Sequence, residues 1–464
     1  MGKEHRRGMN IVILTIIIIG GIGIASFLYL DIFRSQQYNN DYHPFLRYPY
    51  NNSLKVEVVA EGLSLPTSME FIDNKDILVS EKEKGTVRLV SLPYKNSSVE
   101  EEPALKLTID PEGERGLLGI AAKKDDNGNN EKRSHSNSVF LYYTHSNPPK
   151  NSIYKYHWNG QKLINPELIL DLPSQPRPYH QGGKLLTTIN KDNQASLYAV
   201  IGDLTSPNTL LQNNKNGKMA NNTSIVLGID ITSVIDYYES YDNHSRSENT
   251  VLTSDGNKSL NQNINHSNNR NFSILAYGIR NSFGLAVDPL TGNLWDTENG
   301  EDDYDEINFV KTGFNSGWMQ VMGPIHRNLD KTQDDLVLLN GFRYADPVFS
   351  WKIQIGVTDI EFLNTTRLGA ELANNILVGD INYGNLYYFK VNSSRTGIEL
   401  PSELGSNNKD LADHVADDDR ELSLITFGTN FGRITDIETG PDGFLYILSY
   451  EGGKIFRISP INQN

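Results

Sequence analysis

One histidine stands beside two glycines in YHQGGKL, residues 179–185, a combination suited to a reactive centre. Histidine is the side chain best able to move a proton near neutral pH, so His180 is a candidate general base. Asp203 ends the stretch VIGD, and its carboxylate would fix the imidazole tautomer by accepting the Nδ1–H of His180. Both stretches also have a structural interpretation, because a His-Gly-Gly segment is often only a turn and Asp203 is able to cap one.

Two more polar clusters follow in the chain. Arg280 and Asn281 lie between two apolar stretches in AYGIRNSFGLAVDP, where a structural arginine would pair with a carboxylate. The loop TENGEDDYDEIN surrounds Gly300 with acidic side chains, and an oxygen-rich turn with a glycine suits a hard cation such as Ca²⁺. Its spacing is not that of an EF-hand, so a solvated acidic loop is the alternative. The acidic residues concerned are Glu298, Asp302, Asp303, Asp305 and Glu306.

The elements that would position these clusters are strands. After residue 52 the chain has almost no helical periodicity, and short apolar runs are bounded by Gly, Asn and Asp. A hairpin scheme recurs without interposed helices, which favours a β-propeller over a sandwich, and the length predicts six blades. Loops of a propeller converge on the mouth of its central channel, so distant clusters can meet there. The hairpins cover residues 74–90, 374–391 and 441–458, with looser copies at 193–203 and 291–310.

Composition excludes several classes of protein. The 464-residue chain carries a net charge of −15 without long Lys/Arg runs, which argues against nucleic acid or anionic lipid headgroups as partners. It has no cysteine, which excludes disulfides, thiolate metal sites and cysteine nucleophiles.

Residues 10–30 are uncharged and long enough to cross a bilayer. Basic residues in the tail 1–9 would keep that end in the cytoplasm, so we expect an uncleaved membrane anchor with the remainder outside the cytoplasm. A cleaved signal peptide is the alternative. Many N-x-S/T acceptors for glycosylation weakly support an extracytoplasmic location.

The remaining chain divides into a tether and one domain. Residues 31–52 are predicted to be the tether, and residues 53–464 the propeller. Asn/Ser-rich composition predicts an exposed insertion around one strand within 205–272, with further insertions at 124–136 and 403–419.

From about residue 55 to the C-terminus, the order of motifs resembles the soluble glucose dehydrogenase and sorbosone dehydrogenase family. The stretches that carry the resemblance include GERGLLGIA, HQGGKL, VIGD, AYGIRNSFGLAVDPLTGNLW, TENGEDDYDEIN, GFNSGW and ITDIETGPDGFLYILSYEGGKIFRI. The resemblance implies a six-bladed propeller that uses pyrroloquinoline quinone (PQQ). It also implies an aldose-type sugar as substrate, a lactone as product and an external electron acceptor.

The resemblance assigns roles to the reactive clusters. His180 matches the general base that takes the proton from the sugar hydroxyl as hydride passes to the quinone, and Asp203 matches the carboxylate that orients it. Arg280 and Asn281 match the pair at the quinone edge of the cofactor, where a cation stabilises negative charge on a carbonyl oxygen.

The remaining assignments concern the metal, the cofactor and the substrate. Gly300 and Glu301 match positions whose backbone carbonyls hold the Ca²⁺ that also binds PQQ. Arg433 matches an arginine that binds a cofactor carboxylate. Glu114 falls where the glucose enzyme has a substrate-contacting glutamine, and Tyr179 falls where a sugar-contacting aspartate occurs.

The sequence departs from the family at two cofactor-binding positions. Asn382 replaces a lysine, and Thr435 replaces a second arginine. PQQ has three carboxylates, so both changes remove charge-assisted hydrogen bonds. Lys184 and Arg177 are candidates to compensate.

The sequence is compatible with three functions. The first is a membrane-anchored sugar dehydrogenase that uses PQQ and Ca²⁺. The second is a propeller that binds a carbohydrate or a protein without redox chemistry, which the two lost cations favour. The third is a Ca²⁺-dependent lactonase, which would leave Arg280 and Asn281 without a role.

Overall fold

The computed structural model describes residues 42–47, 49–92, 98–123, 138–219, 221–232, 272–400 and 411–461. The predicted tail 1–9, anchor 10–30 and insertion 124–136 lie outside these residues, as does most of the predicted insertion within 205–272. No helix within the described ranges is both long and apolar enough to span a bilayer.

Short strands make up most of the described chain. In its first half these are β1 Phe45–Leu46, β2 Leu54–Glu61, β3 Pro66–Phe71, β4 Asp76–Glu81, β5 Thr86–Ser91, β6 Ser98–Val99, β7 Leu105–Lys106, β8 Leu117–Lys123, β9 Ser138–Ser146, β10 Pro149–Trp158, β11 Leu163–Leu172, β12 Leu185–Ile189, β13 Ala195–Ile201 and β14 Ile225–Asp230.

The second half continues in the same way. Its strands are β15 Phe272–Tyr277, β16 Gly284–Val287, β17 Leu294–Glu298, β18 Asp305–Val310, β19 Phe314–Asn315, β20 Arg343–Tyr344, β21 Phe349–Trp351, β22 Val357–Phe362, β23 Ile376–Asp380, β24 Leu386–Val391, β25 Ile398–Glu399, β26 Val415–Ala416, β27 Thr426–Thr429, β28 Ile434–Thr439, β29 Leu445–Ser449 and β30 Lys454–Pro460. The helical elements are short: α1 Asp419–Ile425 and the 3₁₀ turns Tyr50–Asn52, Leu210–Gln212, Ile325–Arg327 and Gln333–Asp335.

The described strands form six sheets. Their hydrogen-bonded orders are β3-β4-β5-β6 with β7 on β5, β8-β9-β10-β11, β12-β13-β14-β15-β19-β20, β16-β17-β18-β21-β26, β22-β23-β24-β27-β1 with β25 on β24, and β28-β29-β30-β2. The first strand of each sheet contacts the first strand of the next, and β28 contacts β3. This closed ring of sheets confirms the predicted all-β propeller.

The N-terminal and C-terminal strands of the propeller domain meet in one sheet. β2 pairs antiparallel with β30 from Leu54 opposite Pro460 to Glu61 opposite Lys454. An early strand therefore completes the sheet that is otherwise built from the last strands of the chain. Apolar residues pack between neighbouring sheets, as where β8 to β10 meet β12 to β14.

Four of the predicted hairpins are confirmed, including the looser copy at 291–310, which forms β17 and β18. The looser copy at 193–203 is wrong, because it holds the single strand β13. Residues 74–90 form β4 and β5, residues 374–391 form β23 and β24, and residues 441–458 contain β29 and most of β30. Every residue of β29 is buried, as expected for a strand that has a neighbouring strand on each side and is rich in aliphatic and aromatic residues.

The predicted tether extends too far along the chain. The segment 31–52 is not a tether along its whole length, because β1 pairs with β27 and the ring of Tyr50 lies 4.3 Å from that of Phe427. A two-residue strand has no periodicity that the sequence would reveal.

Parts of the predicted insertions also belong to the fold. Gln212 and Asn213 are buried, Leu411 is buried, and β26 pairs with β21 inside the segment 403–419. The polar composition of both segments concealed this, since the hydrogen bonds that stabilise buried amides such as Asn213 do not show in a composition.

We predict that the closing pair of strands is required for stability. Phe456 of β30 is fully buried opposite Val58 of β2, whose side chain is largely exposed. Phe456→Ala should lower the free energy of unfolding by about 3–5 kcal/mol through the cavity it leaves. Val58→Ala, the matched control, should change it by no more than about 0.5 kcal/mol. Denaturant unfolding measures both, and a loss for Phe456→Ala no larger than about 0.5 kcal/mol would contradict the prediction.

Candidate active site

The predicted site residues lie at one end of the ring of sheets. In an antiparallel sheet, the start of the first strand and the end of the second lie at the same edge. Each predicted residue is found in a segment of one of these two kinds. Segments before a first strand carry Glu114, Tyr179, His180, Arg280, Asn281 and Arg433, and segments after a second strand carry Asp203, Gly300, Glu301 and Asn382.

His180 and Asp203 are in direct contact. His180 Nδ1 lies 2.6 Å from Asp203 Oδ1, and the carboxylate is 1% exposed. A carboxylate only accepts, so Nδ1 carries the proton and Nε2 carries the lone pair. Asp203 is held by further donors, since the Thr205 N–H donates to Oδ1 at 2.8 Å and Trp318 Nε1–H donates to Oδ2 at 2.8 Å. The pair thus has the arrangement of an oriented general base.

The glycine pair permits the backbone conformation that carries His180. The φ of His180 is 57°, and Gly182 and Gly183 have φ values of 62° and 108°. A Cβ on Gly182 would lie 2.7 Å from the carbonyl oxygen of Val200, and one on Gly183 would lie 2.7 Å from Cβ of Leu118. Side chains at either glycine would therefore push the turn away from the sheets that support it.

Glu114 holds the same turn by accepting hydrogen bonds from its backbone. Its Oε2 accepts the N–H of His180 at 2.8 Å, the N–H of Gln181 at 3.3 Å and Nδ2 of Asn281 at 3.2 Å. The structure therefore gives Glu114 a positioning role that the sequence did not suggest. Tyr179 is 51% exposed on the outer side of the turn.

Trp318 links Asp203 to Arg280. The guanidinium carbon of Arg280 lies 5.4 Å from the centroid of the indole whose Nε1–H is donated to Asp203. The backbone joins the same two residues, because the N–H of Asp203 donates to the carbonyl of Arg280 at 2.9 Å. The sequence assigned no role to Trp318, although the stretch GFNSGW that contains it was one of the matching motifs.

A buried carboxylate fixes the backbone of Arg280. Glu298 accepts the N–H of Arg280 at 2.6 Å and the hydroxyl of Ser316 at 2.6 Å. Arg280 also donates from Nη1 to the carbonyl of Asn299 at 3.1 Å. Among the described residues, Arg280 Nε and Asn281 Oδ1 are buried without a hydrogen-bond partner. Such groups are costly to leave unpaired, so a polar partner at either atom would stabilise this position.

The acidic loop does not converge on one point. Asp305 turns inward and accepts the N–H of Gly300 at 3.1 Å, whereas Glu301, Asp302 and Asp303 are exposed. In the described part of the chain, no group of three or more His, Asp or Glu side chains is placed to hold a metal ion. The carbonyl of Gly300 accepts Nε2 of Gln354 at 2.7 Å. A cation site here would therefore depend on backbone oxygens and not on the carboxylates.

A cavity of about 260 Å³ opens among these loops. Its lining includes Glu114, Gly182, Asn299 and Gly356, so it adjoins both the His180 turn and the Arg280 segment. Three cationic residues also line it: Lys82, Lys184 and Arg433. Lys82 was not noticed in the sequence, where it stands in a charged turn, EKEKG, that looks solvated.

The positions that depart from the family supply no charge to this cavity. Asn382 is exposed, and its Nδ2 reaches the carbonyl of Gln354 at 3.5 Å. Thr435 lines the cavity but donates its hydroxyl to the carbonyl of Pro66 at 2.9 Å. Of the two predicted compensating residues, Lys184 lines the cavity and Arg177 is exposed and does not.

Lys184 is buried between two carboxylates. Its Nζ lies 2.9 Å from Asp359 Oδ1 and 2.6 Å from Asp436 Oδ1. Burial opposes the charged form, but these carboxylates outweigh it and hold the pKa of Lys184 well above its ordinary value. Its charge is thus largely satisfied within the protein.

A model of the Glucose / Sorbosone dehydrogenase family matches residues 63–224 and 248–457. The chain belongs to the glucose/sorbosone dehydrogenase family. This confirms the resemblance drawn from the motifs.

Three individual relatives and solved structures similar to this chain are between 14% and 29% identical to it. The aldose sugar dehydrogenase YliI of Escherichia coli is 29% identical over 194 residues, which cover 41% of this chain and 44% of that relative. The PQQ-bound aldose sugar dehydrogenase of Streptomyces coelicolor superposes with a TM-score of 0.56 at 18% identity, covering 90% of this chain and all of the other.

A fungal structure shares the fold as well. The calcium structure of a Trichoderma reesei carbohydrate-active enzyme of family AA12 gives a TM-score of 0.59 at 14% identity, covering 91% of this chain and 99% of that one. At these identities the structural matches show the shared fold.

We predict that the buried carboxyl group of Asp296 makes the stability of the folded protein depend on pH. Burial, reinforced by the neighbouring Glu306, raises the pKa of Asp296 from 3.8 to about 8. The folded protein then holds a proton that the unfolded chain releases, so stability should fall as pH rises between those two values. Thermal unfolding between about pH 5 and about pH 8 measures this trend, and Asp296→Asn should flatten it.

Asp192 provides the control, because it is an exposed aspartate at the far end of β12. Asp192→Asn should leave the pH trend unchanged. A trend that Asp296→Asn leaves as steep as in the wild type would show that Asp296 is not its source.

Proposed function

We propose that the protein oxidises an aldose-type sugar at its anomeric carbon to the lactone, using PQQ and Ca²⁺. The observation that carries the proposal is the His180–Asp203 pair, whose geometry leaves the lone pair on Nε2, beside a cavity lined by cations. Family membership supports the same chemistry, as does the PQQ-bound state of the Streptomyces coelicolor relative.

The donor groups at the cavity fit PQQ. Its three carboxylates suit a wall that carries ammonium and guanidinium groups. Arg280 is not among the lining residues, but its segment adjoins the cavity and its buried Nε has no partner in the described structure. Arg433 would face a carboxylate, and Arg280 with Asn281 the quinone edge. When bound, PQQ supplies the hydride acceptor that no side chain of this protein provides.

His180 would take the hydroxyl proton of the sugar on Nε2. The ring would then become an imidazolium, and the buried Asp203 carboxylate 2.6 Å from Nδ1 would stabilise its positive charge. Trp318 and Thr205 hold that carboxylate in place, and Glu114 holds the backbone of His180. Little reorganisation is then needed at the moment of proton transfer.

Backbone oxygens near Gly300 and Glu301 would bind the Ca²⁺. Carbonyl oxygens are hard ligands that suit this ion, and the loop is anchored to the sheet by Asp305, which accepts the N–H groups of Ile355 at 2.8 Å and Gly356 at 2.7 Å. Binding would require Gln354 to share or release the Gly300 carbonyl that it now engages.

The proposal also includes a six-bladed architecture and a membrane anchor. We assign each of the six sheets to one blade of a six-bladed propeller. Residues 10–30 would anchor the domain outside the cytoplasm, and alkaline extraction of membranes should leave the full-length chain in the pellet.

A non-redox carbohydrate- or protein-binding propeller is the competing function. It is favoured by the neutral residues Asn382 and Thr435, neither of which offers a cation to a cofactor carboxylate. The two functions differ in whether the protein binds PQQ and reduces a dye.

The deciding experiment is titration of the full-length protein with PQQ in the presence of Ca²⁺, followed by dye reduction with a panel of aldoses. We expect saturable PQQ binding and turnover. His180→Gln should bind PQQ normally but lower kcat by about 10²–10⁴-fold, the usual contribution of a positioned base. Chelation of Ca²⁺ should abolish turnover reversibly. Wild-type protein without saturable PQQ binding would refute the dehydrogenase and leave the non-redox propeller.

A second prediction concerns the indole that holds Asp203. Trp318→Phe keeps an aromatic ring beside Arg280 but removes the donor to Asp203 Oδ2, so kcat should fall about tenfold with little change in KM. Trp351→Phe is the matched control, because Trp351 Nε1 has no partner among the described residues. Steady-state kinetics of the two variants decide the point, and a rise in KM at constant kcat in Trp318→Phe would contradict it.

A further inference from the structure

Lys82 is a buried cation at the wall of the cavity. It follows β4 in the turn that leads to β5, and the whole residue is 7% exposed. It lines the cavity together with Lys184, Arg433 and Glu114. Burial disfavours the charged ammonium and lowers the pKa of Lys82, although the more distant Glu83, Glu114 and Asp110 act in the opposite direction.

The ammonium of Lys82 is only partly satisfied. Nζ donates to the carbonyl of Gly113 at 2.8 Å and to that of Pro111 at 3.3 Å. An ammonium has three hydrogens to donate, so one donor is left. Within the described ranges, both hydrogen bonds of this nitrogen go to backbone carbonyls and neither goes to a carboxylate.

The other two cations of the cavity are paired. Lys184 lies between Asp359 and Asp436, and Arg433 Nη1 lies 3.0 Å from Glu451 Oε1. A buried charge without a counter-ion is costly, and a carboxylate brought by a ligand would remove that cost. Lys82 is therefore the lining cation with the most to gain from an anionic ligand.

We infer that Lys82 binds one carboxylate of PQQ and supplies the positive charge that Asn382 and Thr435 do not. This inference rests on the proposed function, because it requires PQQ as the ligand of the cavity. Its position on a tight turn of the sheet suits the role, since the carbonyls of Pro111 and Gly113 already direct the ammonium.

The test compares two lysines of one turn. Lys82→Gln keeps an N–H donor for the Gly113 carbonyl but removes the charge. Lys84 is exposed two residues later, and Lys84→Gln is the matched control. Isothermal titration of the full-length protein with PQQ, at saturating Ca²⁺, should show about ten- to hundredfold weaker binding for Lys82→Gln, the range for one charged hydrogen bond. Lys84→Gln should bind as the wild type does.

A second probe separates charge from local structure. The trimethyl ester of PQQ has no anionic carboxylate, so wild type and Lys82→Gln should bind it with equal affinity. Lys82→Arg, which retains the charge, should recover most of the affinity for PQQ. If Lys82→Gln fails to fold, Lys82→Met, which removes the charge from a side chain of similar length, takes its place in the test.

The outcomes are distinct. Equal PQQ affinity in wild type and Lys82→Gln would overturn the inference and leave the dehydrogenase intact. Equal weakening for PQQ and its ester would show that Lys82 only holds the turn, and would also overturn it. Failure of the wild type to bind PQQ would overturn the proposed function, and the inference with it.

Discussion

The buried carboxylate of Asp203 is the group on which the site depends. It accepts hydrogen bonds from the imidazole of His180, the indole of Trp318 and the backbone of Thr205. The backbone N–H of Asp203 donates to the carbonyl of Arg280. A carboxylate that is 1% exposed is stable only when its oxygens are satisfied in this way. These hydrogen bonds hold together the segments before β12, after β13 and after β19, all strands of one sheet.

The propeller supports these segments by holding its loops on a rigid ring. Six sheets share a closed set of inner strands, and β2 with β30 closes the ring. Because the loops at one end begin and end on buried strands, the side chains they carry have little freedom to separate. Glu114 and Glu298 continue this support at the level of the loops, by accepting the backbone N–H groups of His180 and Arg280.

The cations of the cavity differ in how far the protein itself neutralises their charge. Lys184 has its carboxylates within the protein, whereas Lys82 rests on backbone carbonyls. A cation that is already neutralised contributes little to an incoming anion, because its field is cancelled nearby. Counting lysines in the sequence therefore does not measure what a pocket offers to an anionic ligand.

The sequence by itself determined most of the hairpins and the propeller and pointed to the candidate site residues, because alternating strands and short motifs are local patterns. It did not show that Glu114 supports His180, that Trp318 joins Asp203 to Arg280, or that Lys82 reaches the cavity. It also mistook residues 45–52 for a tether and Asn213 for part of an exposed insertion. Those features were decided only by the tertiary structure, since a hydrogen bond between residues far apart in the chain depends on how the sheets close on one another and leaves no periodicity in the sequence.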